Sequence, residues 1–448
     1  MKLLTQILTL GIFLFLVIAC QKEDDVSTLS TEQQMNQFIE ESMKDIYLWA
    51  DQVKKINPNL SQEPEDFLKD LRYQEDRWSY IEKDETTSRS IVNGKAKSFG
   101  YKIQFFKISK ELVYGIILFV YNNSPAEKAG LKRGDLIVTN NGEPLTEKNY
   151  TELLDAETVT LKTGQIRNNT LYTSKQDYHL SQEIIDQNPI LLDTILQQDQ
   201  KKIGYLVYVN FFDNQSTHLP QLSQAIRKMK NTGIDEFILD LRYNIGGTES
   251  AAQRLCSLLA PATHVRNKEV FIQKQWNSTY QNRIKAEQLV TRFDNNVLAD
   301  NLDLQKIYIL TSSRTASASE VVISGLRPYI PQMTIIGSQT NGKYVGMLKM
   351  TAKASELQKW VLWPVTFTYT NIEGESVKGG ITPNYIVKEY DNFLPPFGDP
   401  TDPLLNKALT LIHNSTSLPS GRSNTNPETI TSKWQAIGKV EITPLLGL

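Results

Sequence analysis

Between Lys202 and Gly337 the chain alternates short apolar, β-branched runs with stretches of helical spacing, and this restricts the fold more than any other feature. Ile203 to Phe212, Glu236 to Tyr243, Lys306 to Thr311 and Thr334 to Gly337 read as strands. Leu219 to Lys230, Thr248 to Leu259 and Ser317 to Leu326 read as helices. Strands joined through helices predict a mainly parallel sheet with helices packed on it. Residues 261–305, which include Trp276 and Tyr280, interrupt the alternation, and Lys359 to Thr370 predicts paired strands.

The flanking regions follow other patterns. Ser30-Thr31-Glu32-Gln33 fits a capping box, and Met35, Phe38, Ile39, Met43 and Ile46 recur at helical spacing. A second short helix is expected near Ser61, with Pro64 in its first turn. Residues 30–92 therefore predict a small helical domain, and the aromatic and charged segment Leu71 to Tyr80 is expected to pack it onto its neighbour. From Lys97 to Ser174 the spacing changes to strands. Tyr101, Ile103 and Phe105 alternate with polar residues, Leu112 to Tyr121 is a second strand, and Asn141-Gly142 signals a turn. Ser124-Pro125-Ala126-Glu127 caps a short helix that Gly130 suits at its end. Residues 95–174 thus predict a β-rich domain, residues 178–415 the alternating one, and residues 416–448, rich in Ser, Thr, Asn and Pro, a C-terminal extension.

The first residues read as an address. Lys2 precedes the apolar run Leu3 to Ala19, and Val17-Ile18-Ala19-Cys20 leads into Gln21-Lys22-Glu23-Asp24-Asp25. A short apolar stretch ending at a small residue is a signal peptide; the alternative is an uncleaved membrane anchor. Residues 1–20 resemble a bacterial lipoprotein leader, which implies lipidation of Cys20, a tether over residues 21–29, and attachment to the cell envelope at the outer membrane, on its periplasmic or surface face.

Other classes are excluded by counting. Lys plus Arg is 48 against 50 Asp plus Glu, so nothing drives global binding to nucleic acid. Two cysteines and four histidines, none in a His-x-x-x-His pair, leave no zinc site built mainly from Cys and no metalloprotease motif. No dinucleotide fingerprint is present, so no cofactor and no metal are expected. Cys256 sits in a helical apolar pattern and reads as a buried small hydrophobe.

Three segments bear on chemistry. In Leu239-Asp240-Leu241-Arg242-Tyr243-Asn244-Ile245-Gly246-Gly247-Thr248 a strand meets a double glycine and then a helix, where backbone N–H groups can face an anion. In Thr311 to Glu320 a helix opens at a run of Ser, Thr and Ala. Ser312, Ser313 and Thr315 read as caps, whereas Ser317 and Ser319 stand where the positive helix end favours a developing alkoxide. No Gly-x-Ser-x-Gly elbow exists, which disfavours an α/β-hydrolase. The third segment, Ile335 to Tyr344, places Lys343 after a glycine.

Ser124-Pro-Ala-Glu-Lys-Ala-Gly-Leu-Lys-Arg-Gly-Asp135 resembles a PDZ domain of the bacterial protease type. The resemblance implies that Phe99, Gly100 and Tyr101 form a carboxylate-binding loop and that a peptide adds to the sheet edge. Asp240-Leu-Arg-Tyr-Asn-Ile-Gly-Gly247, Ser317-Ala-Ser-Glu320, Gly342-Lys343 and Lys378-Gly-Gly-Ile-Thr-Pro383 stand in the order of the C-terminal processing (tail-specific) proteases, and with the PDZ-like block the resemblance spans residues 95–390. It implies an α+β multidomain chain with an N-terminal helical domain, a PDZ-like domain and an α/β serine protease domain. It further implies Ser317 as nucleophile, Lys343 as general base, Gly246, Gly247 and Ala318 as oxyanion hole, and proteins or peptides as substrates. Lysine must be neutral to accept the serine proton, so its value must fall from about 10.4 to near 7, roughly 4 kcal/mol. Lys343 is accordingly expected to be buried and within hydrogen-bond reach of Ser317. Met347 stands where many members carry a Gln, and Arg327-Pro328 where some carry an Asp. A catalytically silent peptide-binding lipoprotein is the alternative of a different class, and an amidase or esterase using the same pair is a third reading.

Overall fold

Alternation of side chains along each central strand decides which layer covers which face of the sheet. The structure is a computed structural model that describes residues 29–83, 94–107, 112–167, 170–389, 394–414 and 435–436. Cys20, its leader and tether, and most of the C-terminal extension lie outside these residues.

The N-terminal segment begins with α1 (Thr31–Asp45), whose Ser30 cap exchanges hydrogen bonds with Gln33 as the capping box predicts. Next comes α2 (Pro64–Leu71), with Phe67, Leu68 and Leu71 buried on one face. The segment ends in β1 (Tyr80–Lys83), which pairs antiparallel with Trp360–Trp363 far along the chain. Met35, Ile39, Met43, Phe67 and Trp78 share one hydrophobic core with the alternating domain. The helices are therefore a layer of that domain rather than a body with its own core.

The β-rich domain is built on β2 (Tyr101–Lys107), β3 (Val113–Val120), β4 (Leu136–Asn140) and β5 (Thr158–Arg167), in that order in the sheet. Phe99, Phe105, Val113, Ile117, Ile137 and Leu161 form its own core. The strands continue past residue 174: Tyr178–Ser181 pairs with β5, and Glu183–Asp186 pairs with Lys95–Ser98. The outer edge of β2 carries the extension segment Gln435–Ala436, paired antiparallel at Lys107 and Phe106.

The alternating domain holds a six-stranded sheet. Its strands are β6 (Ile190–Gln198), β7 (Lys201–Tyr208), β8 (Glu236–Asp240), β10 (Lys306–Thr311), β11 (Gln332–Gly337) and β15 (Tyr385–Ile386). Only β6 and β7 are antiparallel; the remaining pairs are parallel, as the alternation predicts. Between them run α3 (His218–Thr232), α4 (Glu249–Leu259), β9 (Val270–Trp276) and α5 (Ala318–Leu326), and after β11 come β12 (Val345–Met347), β13 (Trp360–Trp363) and β14 (Val365–Thr370). Leu206, Tyr208, Phe237, Leu239, Ile307, Ile309 and Ile335 face the helices and the N-terminal segment. Their neighbours Tyr205, Val207, Ile238, Tyr308, Leu310 and Ile336 face α6 (Pro403–Asn414) and the β-rich domain. That is the period of two expected of strands buried on both faces. The run Lys359 to Thr370 forms two strands, but they do not pair with each other: β13 joins β1, and β14 joins β9 and β12. Among the described residues no helix is long and apolar enough to cross a membrane.

Candidate active site

The turn after β8 and the turn after β10 pack against each other, and their hydrogen bonds leave little freedom. Asn244 is fully buried; its side chain donates to Tyr208 O and accepts from the Gly246 N–H, both at 2.9 Å. Its carbonyl accepts from the Ala316 N–H at 3.1 Å and from Ser319 Oγ at 2.9 Å. Thr315 Oγ1 donates to Leu241 O at 2.8 Å. Thus Thr315 and Ser319 are structural ties, and Ser317 is the hydroxyl left over. Gly246 has φ 111°, and a Cβ there would stand 2.7 Å from Ser317 Cβ. Only glycine lets the two turns come this close.

Ser317 occupies the cap position of α5 with φ 58° and ψ −118°, outside the left-handed helical well and in a region that residues other than glycine seldom adopt. Every residue of α5 is buried, which suits a helix apolar nearly all round. Glu320, in its first turn, is the organiser. Its carboxylate accepts from the Ser317 N–H at 2.9 Å, the Lys343 N–H at 2.9 Å, the Gly342 N–H at 2.7 Å and Thr340 Oγ1 at 2.5 Å. Burial raises the Glu320 carboxyl above the ordinary range, and these four donors oppose the rise. Tyr369 of β14 adds a second tie, donating to Lys343 O at 2.6 Å and lying 3.4 Å from Ser317 O. Two residues therefore clamp the backbones at 317 and 343 together.

Lys343 is 2% exposed. Burial pulls its ammonium down to about 7, against the opposing pull of Glu320 and Asp76. The expected burial is present, but the expected hydrogen bond is not. Ser317 Oγ is buried and has no hydrogen-bond partner among the described residues, while Lys343 Nζ lies 3.6 Å from Met347 Sδ. A thioether is a weak acceptor, so it does little to hold the charged form. Of the groups expected to form an oxyanion hole, the Gly246 N–H is committed to Asn244. The Gly247 and Ala318 N–H groups carry no hydrogen bond among the described residues. Gly100 has φ 86° and sits just before β2, at the end away from its pairing with Gln435–Ala436; its N–H donates to Ser98 Oγ at 3.0 Å, and Phe99 and Tyr101 are buried with stacked rings. No cluster of metal-ligating side chains occurs among the described residues.

Sequence reasoning missed several supporting groups. Glu320 stands three residues after Ser317, at capping-box spacing, so its role was detectable. Asp76 was not: it comes from the N-terminal segment, accepts from Tyr47 Oη at 2.7 Å and from the Trp78 and Ser79 N–H groups at 2.9 Å, and acts on Lys343 from there. The same segment packs Trp78 edge-on against Tyr344 and ties Glu75 to Lys378 at 2.8 Å.

A second buried polar cluster joins the β-rich domain to the same turn. Arg242 pairs with Asp240 at 2.8 Å and with Asp402 at 2.7 Å. Arg133, from the Lys132-Arg133-Gly134-Asp135 turn, donates to Tyr243 Oη at 2.6 Å, to Glu389 at 3.0 Å and to Pro395 O at 2.8 Å.

Comparison with known proteins bears on the fold and its domains. The profile of peptidase family S41 matches residues 202–387, that of the peptidase S41 N-terminal domain residues 34–80, and that of the PDZ domain residues 116–163. The chain is 26% identical over 302 residues to a protein of Staphylococcus haemolyticus named a probable CtpA-like serine protease, covering 67% of this chain and 55% of that one. It is 28% identical over 270 residues to a carboxy-terminal-processing protease of Bartonella bacilliformis, covering 60% and 57%. The chain thus spans little more than half the length of these curated relatives. A crystal structure from Bacteroides fragilis NCTC 9343, assigned to the S41 proteases, aligns with a TM-score of 0.71 at 27% identity over 85% of this chain and 98% of that one. The two S41 profiles together cover more than half of the sequence, with the PDZ profile between them, and the chain belongs to peptidase family S41.

Proposed function

We propose that this protein is a serine endopeptidase of the C-terminal processing type, with Ser317 as nucleophile and Lys343 as general base. The observation that carries the reading is the buried Lys343, lowered to about 7 and clamped through Glu320 to the backbone of Ser317. Neutral Lys343 takes the proton of Ser317 Oγ as that oxygen attacks the scissile carbonyl carbon. The Gly247 and Ala318 N–H groups receive the developing oxyanion. The Lys343 ammonium then protonates the leaving amine. In the second half-reaction Lys343 deprotonates water, which releases the acyl group from Ser317 as a carboxylic acid. The absent Ser317–Lys343 hydrogen bond is compatible with this, because such contacts often tighten only when substrate binds. The start of β2 in the PDZ domain, beyond its pairing with Gln435–Ala436, receives a substrate terminus, and the leader with Cys20 attaches the enzyme by lipid to the bacterial cell envelope.

The test follows cleavage of an unfolded protein by the chain, beside Ser317→Ala and Lys343→Ala. Loss of turnover in both variants, with folding intact, supports the pair. Turnover that survives in Ser317→Ala removes Ser317 from the reaction. A second reading, a silent peptide-binding lipoprotein, is favoured by the sulfur contact of Lys343. It requires that wild type bind peptide without turnover, also after removal of the PDZ block.

A further inference from the structure

Strand β2 would be the outermost strand of its sheet but for Gln435–Ala436, which pairs antiparallel with it. Gln435 faces Lys107 and Ala436 faces Phe106, so this register directs the chain beyond Ala436 along β2 toward Tyr101 and Gly100. The sequence changes character at the same place. Ser, Thr, Asn and Pro dominate residues 415–427, whereas Lys439-Val440-Glu441-Ile442 alternates charged with β-branched apolar residues and stops before Thr443-Pro444. Proline has no N–H to give to a ladder. Carrying the register forward sets Ile437 against Phe105, Lys439 against Ile103, Val440 against Lys102 and Ile442 against Gly100. Ile beside Phe is a favourable cross-strand pair, and no two like charges stand opposite each other. About 20 residues separate Asn414, at the end of α6, from Gln435. At roughly 3.3 Å each they reach about 65 Å, twice the diameter of a small domain, so the same chain can supply this strand.

We propose that residues 435–442 of the same chain dock as a strand along the outer edge of β2 and occupy the place where a substrate terminus adds. The proposal rests on the reading of β2 as the strand that receives peptides. Tail and substrate need the same backbone N–H and C=O groups of β2, so the edge holds one or the other. A tethered segment acts at an effective concentration near millimolar. It therefore excludes peptides that bind weakly and yields to those that bind the edge tightly or gain a second hold at Ser317. The tail sets a threshold for admission to the site.

Two measurements on the full chain test it. The first is disulfide trapping. Residues opposite each other on antiparallel strands have Cα atoms about 4.5–5.5 Å apart, within the reach of a disulfide. Lys102→Cys with Val440→Cys should link on mild oxidation within one chain, and peptide mapping separates this link from any made by Cys20 or Cys256. Lys102→Cys with Lys439→Cys, whose side chains leave opposite faces, should link about tenfold slower or less. No link between 102 and 440, equal rates for the two pairs, or a link only between two chains overturns the proposal. The second measurement uses a fluorescein-labelled peptide of residues 433–443, with Ser317→Ala in every form so that the probe is not consumed. Ile437→Pro with Val440→Pro disrupts the tail strand without touching the sheet. This form should bind the peptide roughly tenfold tighter than the form with the native tail. Equal binding by both overturns occupation of the edge by the tail. Binding by neither overturns the peptide-receiving role of β2 and this proposal with it, while the roles of Ser317 and Lys343 stand or fall on turnover of the unfolded protein.

Discussion

Two buried polar clusters flank the turn that follows β8, and they are built on opposite rules. Around Arg242 each charge meets its opposite: Asp240 and Asp402 on one guanidinium, Glu389 near both Arg242 and Arg133, and Tyr205 closing on Asp240 at 2.7 Å. Around Lys343 the two carboxylates that act on it, Glu320 and Asp76, spend their hydrogen bonds on other groups. Glu320 spends its oxygens on backbone N–H groups and Thr340, Asp76 on Tyr47 and its own loop, and the ammonium faces sulfur. Saturation fixes the turn in place; at the other cluster burial opposes the charge of the amine, and the Ser317 hydroxyl has no hydrogen-bond partner among the described residues. Both depend on burial, so the difference lies in the partners and not in the depth.

The contrast predicts separable consequences. The largest is Arg242→Leu, which strands Asp240 and Asp402 without their cation. Unfolding in denaturant should show a loss of about 3–5 kcal/mol, and a loss near that of an ordinary surface change would break the comparison. Next is Gly246→Ala, which forces a side chain onto Ser317. It should lower kcat/KM by about 10²–10³-fold, the scale of a lost oxyanion donor, because the displaced turn misplaces the neighbouring Gly247 and Ala318 N–H groups, with a stability loss below that of Arg242→Leu. A stability loss as large as that of Arg242→Leu would break the comparison.

A third prediction concerns pH. Turnover should rise with pH up to about 7, where Lys343 loses its proton, and fall about tenfold per pH unit below that. Stability should move in the same sense for this group. Its folded value lies below its unfolded value near 10.4, so the cost of burying the ammonium is full below about 7 and is relieved as pH rises toward 10.4. Lys343→Met should therefore gain stability over wild type at low pH, and the gain should shrink toward pH 10. An unchanged difference across that range would place the titrating group elsewhere. The smallest effect is expected of Met347→Gln. An amide oxygen near Nζ favours the ammonium, so the ascending limb of the pH profile should move upward while the fold is kept. A downward move would mean that Met347 does not set the environment of Lys343.

What was legible in the sequence follows the range of the interactions involved. The strands and helices from 202 to 337 were readable because each depends on local periodicity and a local cap, as Thr248 for α4 shows. Ser317 and Lys343 draw notice because short motifs carry them, and the structure brings their backbones together through Glu320. The ties that hold them were less legible. Tyr369 comes from a strand whose partners lie elsewhere in the chain, and Asp76 from a segment that looks self-sufficient until its core is found to be shared. The pairing of β1 with β13 rather than β13 with β14 belongs to the same class. No local signal distinguishes a strand that meets its neighbour from one that meets the other end of the chain.

That last pairing also sets a clock. Tyr80 faces Trp363, about 280 residues further on. At roughly 5–20 residues per second of synthesis, a ribosome takes on the order of 15–55 s to make the second strand after the first. Until then α1 and α2 have no complete layer to rest on, and Asp76 and Trp78 have no Lys343 and Tyr344 to meet. The surroundings of Lys343 are thus complete only after residue 363 has been made.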